Sequence, residues 1–329
     1  MDNIFIFTEG GGETGMGHIS RCLSLYQAFE MLGYFPQFII NGNESVVSAV
    51  SGTRYQLFDW IAEVDKTITL LRDAGIVLID SYKCPAFLYQ LIKNESKTAV
   101  YIDDNLRLEY PSGIVVNGVM GAEQLGYKKR DDIDYLLGAQ YAFLRSSFWN
   151  VPLKEINPEV KSIFISCGGN DNGLSARIVK ILSEQFPWIY LSVVVKDNNS
   201  PEISKLKLYA QVLTALSADE MKALLGNADL AITAAGQTTY ELCRIGTPFV
   251  ALLTADNQAY SIGNFFKQGL VQEVIDPNNP AFDTMLVNQI NYFLDPETRK
   301  AISSKMQTAI DGSGSLKLAD YIINYTTLS

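Results

Sequence analysis

Short apolar runs alternate with helical patterns through both halves of this chain, and that alternation limits its fold more than any other feature. In the first half the apolar runs fall at 3–7, 36–40, 76–80, 98–102 and 113–117, with helical patterns near 18–32, 44–51, 64–73 and 85–94. Short continuous apolar runs suit strands buried on both faces. Strands that alternate with helices predict a parallel sheet with helices on both sides. The region 118–150 is irregular and aromatic. Residues 151–158 carry two prolines among polar residues and read as a linker. The second half repeats the scheme. Strands are expected at 162–165, 189–195, 229–234 and 247–253, and helices at 173–185, 217–225, 238–245 and 258–268. The polar turn 196–201 follows the second of these strands, and 282–328 is largely helical. The reading is α/β, with two doubly wound, Rossmann-like domains at 1–150 and 159–329 and a cleft between their strand-end rims.

In such a sheet, ligands bind where the carboxyl ends of the strands meet the following helices. The first junction is Gly10-Gly11-Gly12-Glu13-Thr14-Gly15-Met16-Gly17-His18. Glycines let the backbone bend and let a ligand approach the main chain. The helix that follows offers unpaired N–H groups to an anion. A face with Ile19, Cys22, Leu23, Tyr26, Phe29 and Gly33 is expected to pack inward. His18 is the only histidine in the chain. A lone histidine often serves packing alone, but at a glycine-rich loop it is placed to act as a base near neutral pH. Asp80-Ser81-Tyr82 and Asp103-Asp104-Asn105 fall on the same rim.

Three junctions in the second half follow the same plan. One is Ser166-Cys167-Gly168-Gly169-Asn170. Another is Gly236-Gln237-Thr238-Thr239, whose N–H groups and hydroxyls suit a diphosphate, with Glu241 in about the first helical turn and able to hold a ribose. In the third, Thr254 to Gln258, Asp256 and Asn257 read equally as helix caps or ligand contacts.

Several function classes are excluded or weakened. The formal net charge is −10, which argues against a broad nucleic-acid-binding surface. The four cysteines, Cys22, Cys84, Cys167 and Cys243, are widely spaced and suggest neither a zinc site nor a disulfide framework. They fit reduced thiols in a cytoplasmic protein. No apolar run approaches a membrane span and no signal peptide precedes the first strand, so no membrane insertion is expected. Gly10-x-Gly12-x-x-Gly15 matches a dinucleotide fingerprint, but the second strand ends in Asn41 rather than an acidic residue, which weakens an NAD or FAD reading. Asp103 and Asp104, as neighbours in an extended segment, point apart and make a poor metal pair. Neither a cofactor nor a metal is expected.

Gly15-Met16-Gly17-His18-Ile19-Ser20-Arg21-Cys22-Leu23 resembles the G-x-G-H-x-x-R-C-L signature of the PseG/SpsG group of sugar-nucleotide proteins. The resemblance continues at Asp80-Ser81-Tyr82, Ile102-Asp103-Asp104, 141–148, Cys167-Gly168-Gly169-Asn170, 234–242 and Ala255-Asp256-Asn257-Gln258, in order over nearly the whole chain. It implies a glycosyltransferase-B fold, with a last helix near 314–328 that returns to the first domain. It also implies a metal-independent, monomeric UDP-sugar hydrolase. PseG enzymes release UDP from a 2,4-diacetamido-2,4,6-trideoxyhexose on the route to pseudaminic acid, and other members serve surface polysaccharide synthesis. Carried over by position, His18 is the catalytic base. Gly15, Gly17, Arg21, Tyr82 and Asn257 line the sugar. Gly168, Gly169, Asn170, Gly236, Gln237, Thr238, Thr239 and Glu241 hold UDP. This chain departs from the hydrolases at the end of the first strand, with Phe7 and Glu9 in place of an arginine and an aspartate. Three functions stay open: a hydrolase, a glycosyltransferase with a UDP-sugar donor, and a non-catalytic sugar-nucleotide-binding protein.

Overall fold

The computed structural model describes residues 3–12, 14–72, 74–168, 171–196 and 206–328. The chain divides into two compact units, residues 1–149 with 312–329, and residues 150–311.

The first unit is built on a seven-stranded parallel sheet. Its strands are β1 (Asn3–Gly10), β2 (Gln37–Gly42), β3 (Tyr55–Leu57), β4 (Ala74–Asp80), β5 (Thr98–Ile102), β6 (Gly113–Asn117) and β7 (Ile133–Leu137), in the order β3-β2-β1-β4-β5-β6-β7. Strand order reverses between β1 and β4, the switch point at which an open α/β sheet leaves a crevice at its carboxyl edge. Side chains alternate across a strand. Ile4 and Ile6 of β1 therefore join one core with Ile76 and Leu78 of β4. Phe5 and Phe7 join the opposite core with Val77, Ile79 and Trp60. Phe7 meets Trp60 edge-on at 5.3 Å.

Helix α1 (Gly17–Met31) covers the Ile4/Ile6 face, and α2 (Val64–Leu71) and α3 (Ala86–Glu95) follow later in the unit. The buried surface of α1 is wider than one stripe, because Leu25 and Ala28 are buried along with Ile19, Cys22, Tyr26 and Phe29, while Gly33 is exposed. A second helix explains this. The C-terminal helix of the chain, Gly314–Leu328, packs on α1 and sends Leu318, Ala319 and Ile322 into the same core. Its first residue lies so close to the chain that a Cβ on Gly314 would stand 2.3 Å from the Ala142 carbonyl oxygen. The boundary 159–329 expected for the second domain is thus corrected at both ends. The second unit begins at Asn150 and stops at Asp311, and the last helix belongs to the first unit.

The second unit holds a six-stranded parallel sheet. Its strands are β8 (Ser162–Ser166), β9 (Tyr190–Val194), β10 (Gln211–Leu213), β11 (Leu230–Ala234), β12 (Phe249–Leu252) and β13 (Val274–Ile275), in the order β10-β9-β8-β11-β12-β13. Here the switch point lies between β8 and β11. The helices are α4 (Leu174–Gln185), α5 (Ala218–Asn227), α6 (Gln237–Ile245), α7 (Ala259–Lys267), α8 (Phe282–Phe293) and α9 (Pro296–Ala309), and the C-terminal helix is α10.

Two expectations fail locally. The helix expected at 44–51 is a three-residue 3-10 turn at Glu44–Val46, capped by Asn43 and followed by turns. The segment 118–150 contains the strand β7. The turn expected at 196–201 lies outside the described residues after Lys196.

Candidate active site

The β1–α1 loop turns back on itself. Gly11 and Gly15 pair as an isolated bridge, with the Gly11 N–H donating to the Gly15 carbonyl at 2.9 Å. Both have positive φ, 84° and 76°, a conformation that side chains disfavour. Around Gly15 and Gly17 a Cβ would meet nothing within 4 Å, so the space over the loop is open.

His18, Arg21 and Cys22 stand at i, i+3 and i+4 of α1 and so share one face. Strand parity places Asp80 beneath that face. It follows Ile76 and Leu78 in alternation and ends β4. His18 Nδ1 lies 2.7 Å from Asp80 Oδ1. The Arg21 guanidinium binds both oxygens of the same carboxylate, and its Nη1 reaches Asp104 Oδ2 at 3.0 Å. Asp104 also accepts the Tyr82 hydroxyl. The Tyr82 ring meets the imidazole edge-on at 4.7 Å and is 42% exposed. Glu9 closes the other side. Its carboxylate accepts the Ser81 hydroxyl at 2.7 Å and the Tyr82 N–H at 3.0 Å, and lies 3.9 Å from His18 Nε2. Lys83 ties this turn to the glycine loop by donating to the Thr14 hydroxyl at 2.9 Å.

The electrostatics follow from these pairings. Burial pushes the Asp80 carboxyl up, but the charges and hydrogen bonds of Arg21 and His18 outweigh it and hold the carboxyl well below the usual range. Asp80 is therefore an ionised acceptor. A proton on His18 Nδ1 suits the 2.7 Å contact with this carboxylate, and a neutral imidazole in that tautomer has its lone pair on Nε2. Burial and the neighbouring Asp104 push the Tyr82 phenol well above its ordinary value, so it stays a neutral donor. In chemical terms a carboxylate that fixes the tautomer of an imidazole leaves the outer ring nitrogen able to accept a proton.

Asp103 takes no part in the cluster. It turns inward to the Tyr127 hydroxyl at 2.8 Å and to backbone N–H groups, while Asp104 faces Arg21, so the two carboxylates point apart. Among the described residues, no group of three or more His, Cys, Asp or Glu side chains is placed to hold a metal ion, and no helix is long and apolar enough to cross a membrane.

The sequence-predicted residues Gly15, Gly17, His18, Arg21 and Tyr82 thus come together at the β1/β4 switch point. Arg21, expected at the sugar, is committed to Asp80 and Asp104 and organises the site. Asp80, Asp104 and Glu9 carried no individual role in the sequence reading. Their signal was position alone, at the ends of β4, β5 and β1.

In the second unit, Gly168 and Gly236 follow β8 and β11, the strands that flank its switch point. Gly168 has φ 78°, and a Cβ there would sit 3.6 Å from the Ala234 side chain. Gly169 and Asn170 lie outside the described residues. Gly236, Gln237 and Thr238 open α6 half-exposed, and its N-cap residue, Gly236, has no side chain to cap it. Two expectations change here. The Thr239 hydroxyl donates to the Gly236 carbonyl at 2.6 Å, so its proton is not offered to a phosphate. Glu241 lies beyond the first turn and is buried. Asn257 is exposed in the turn Asp256–Gln258, and neither it nor Asp256 caps α7, so the capping alternative is excluded.

The chain is 26% identical over 289 residues to an uncharacterised protein of Methanocaldococcus jannaschii, and 24% identical over 263 residues to the pseudaminic acid cytidylyltransferase and UDP-2,4-diacetamido-2,4,6-trideoxy-beta-L-altropyranose hydrolase of Helicobacter pylori. These matches take in 80% and 79% of the chain but only 58% and 46% of the relatives, so the chain spans about half the length of each. The spore coat polysaccharide biosynthesis protein SpsG of Bacillus subtilis is 22% identical over 333 residues, 96% of both proteins. These similarities support a relationship to the PseG/SpsG family. No family model matches it. Among solved structures, MurG of Acinetobacter baumannii superposes with a TM-score of 0.69 over 98% of this chain and 100% of that one, at 11% identity. The UDP co-structure of S. aureus MnaA gives 0.70 over 100% and 98%, at 14% identity. These likenesses establish the glycosyltransferase-B fold for this chain.

Proposed function

We propose that this protein is a hydrolase that releases UDP from a UDP-activated 2,4-diacetamido-2,4,6-trideoxyhexose, in the synthesis of a nonulosonic acid or a surface polysaccharide. The observation that carries the reading is the 2.7 Å His18–Asp80 pair beside an open glycine loop, which sets the neutral imidazole to accept a proton at Nε2. The activity named for the H. pylori relative supports the substrate class.

Gly168 and the N-terminus of α6 at Gly236, Gln237 and Thr238 hold the diphosphate through backbone N–H groups, and Glu241 takes the ribose. The Thr239 N–H donates to the Gly236 carbonyl at 3.1 Å, so Thr239 shapes this turn. Tyr82, Gly15, Gly17 and Asn257 contact the sugar, and Arg21 holds the carboxylates in place. The leaving diphosphate is a weak base and needs charge stabilisation more than a proton, which helix N-termini supply. His18 Nε2 then has one task, to take the proton of the attacking oxygen.

A transferase using the same donor differs only in that oxygen. The deciding experiment incubates the protein with UDP-diacetamido sugars, with and without acceptor sugars, and follows UDP and the sugar product. UDP release independent of acceptor supports hydrolysis. Release that requires an acceptor overturns it in favour of transfer. Tight binding with no release leaves a sugar-nucleotide-binding protein.

A further inference from the structure

Glu9 breaks the pattern of its own strand. Phe5, Phe7 and Glu9 share one parity on β1, and the first two fill a core. Position 9 instead buries a carboxylate that is 1% exposed. A buried carboxylate is costly unless its oxygens are bonded and its charge is matched. Its hydrogen bonds to Ser81 and Tyr82 meet the first need in part. For the second, among the described residues the only basic side chain within 4 Å is His18. Asp80, by contrast, is already matched by Arg21.

His18 Nε2 and Glu9 Oε1 are 3.9 Å apart. That is too far for a direct hydrogen bond, and is a separation that a single oxygen about 2.8 Å from each atom would bridge. In the neutral imidazole with Nδ1 protonated towards Asp80, both atoms facing this gap are acceptors. A water brings two O–H donors and satisfies both. A sugar hydroxyl brings one and leaves an acceptor unmet, which is costly at a buried site.

We propose that Glu9 is a second catalytic residue, which holds the attacking water with His18 and selects water over an acceptor hydroxyl. This rests on the hydrolase reading above. In the step, one water proton passes to His18 Nε2 while the other stays on the oxygen, donated to Glu9. The water oxygen bonds to the sugar C1. The C1–O bond to the diphosphate breaks, its electron pair leaving with UDP. The imidazolium formed then lies beside the Glu9 carboxylate, whose charge it matches.

The test compares wild type with Glu9→Gln in ¹⁸O-labelled water, with methanol as a one-proton competitor. Wild type is expected to place the label at the sugar C1 hydroxyl and to form little methyl glycoside. Glu9→Gln is expected to lose about a hundredfold in kcat, within the usual range for losing a proton acceptor, with KM and UDP affinity little changed. Should that variant not fold, Glu9→Asp keeps the charge but draws it back by one methylene, and an approximately tenfold loss in kcat at unchanged KM is expected. Wild-type kcat in the folded Gln variant, or in the Asp variant where that alone folds, overturns the role of Glu9 and leaves the hydrolase reading standing. So does methyl glycoside as the main wild-type product. Absence of UDP release by wild type overturns the hydrolase reading itself, and the role of Glu9 with it.

Discussion

Asp80 Oδ1 lies 2.7 Å from His18 Nδ1, and the same carboxylate is gripped at both oxygens by Arg21. One buried group therefore fixes the tautomer of the histidine and the position of the arginine. Replacing Asp80 by asparagine leaves the guanidinium without its main counter-charge, and breaking a buried pair in this way costs about 3–5 kcal/mol. The pH dependence has a definite sign. The folded carboxyl is held well below its ordinary value. Its stabilisation is therefore complete above about pH 4, the unfolded value, and is lost as pH falls through the folded one. Urea denaturation of wild type and Asp80→Asn from pH 7 to pH 3 is expected to show the gap between them narrowing in acid. A gap that stays constant or widens contradicts the assignment.

His18→Asn separates a base from a packing residue. If Nε2 takes the proton of the attacking oxygen, turnover falls by about two to four orders of magnitude. UDP affinity stays near wild type, because the nucleotide is assigned to loops of the second unit. A purely structural histidine predicts the reverse, a lowered melting temperature with turnover per folded molecule kept. Both quantities can be measured on one preparation.

The parts of this site readable from sequence were local. The glycine loop, the start of α1 and the β/α alternation each follow from a few neighbouring residues. The pairing of His18 with Asp80 joins residues 62 apart and depends on the parity of β4 and the switch-point order of the sheet. Neither is visible in a motif. Glu9 stood out only as a departure from the family pattern, because a carboxylate at a strand end ordinarily reads as solvated. The missed strands have similar causes. β3, β10 and β13 are two or three residues long. In β7, Ile133 and Leu136 are buried while Asp134, Tyr135 and Leu137 are only partly so, a mixed pattern without a clean period. Leu25 and Ala28 of α1 were missed because their cover, α10, comes from the far end of the chain.

The cysteines offer a check that needs no substrate. All four are free and buried. Burial pushes the Cys84 and Cys167 thiols up to about 12. The thiolate is the reactive form, so a disulfide reagent at pH 8 should label these positions slowly in the folded protein and fully in urea. The linked effect on stability has the opposite sign to that of Asp80. Between about pH 8.5 and 12 the unfolded chain gives up thiol protons that the folded chain keeps, so stability falls as pH rises. Rapid labelling of Cys84 or Cys167 under native conditions contradicts this burial.

The return of α10 to the first unit carries the last prediction. Leu318, Ala319 and Ile322 lie fully buried in the core shared with α1. Polar contacts fix the register. Ser315 bonds Ser24 at 3.1 Å, Tyr321 donates to Asp134 at 2.5 Å, and Thr326 donates to Thr98 at 2.9 Å. The helix is thus part of the layer that holds α1, and α1 carries His18 and Arg21. Ile322→Ala should cost about 2–5 kcal/mol, the range for emptying a buried aliphatic site. The loss is expected in the first unit alone, so hydrogen exchange should quicken in α1 and β1 while β8 and β11 keep their protection. Turnover per folded molecule should stay near wild type, since Ile322 belongs to the apolar core and not to the hydrogen-bonded cluster of His18, Arg21, Asp80 and Glu9. Exchange that quickens in the second unit but not in α1 would place α10 elsewhere in the fold.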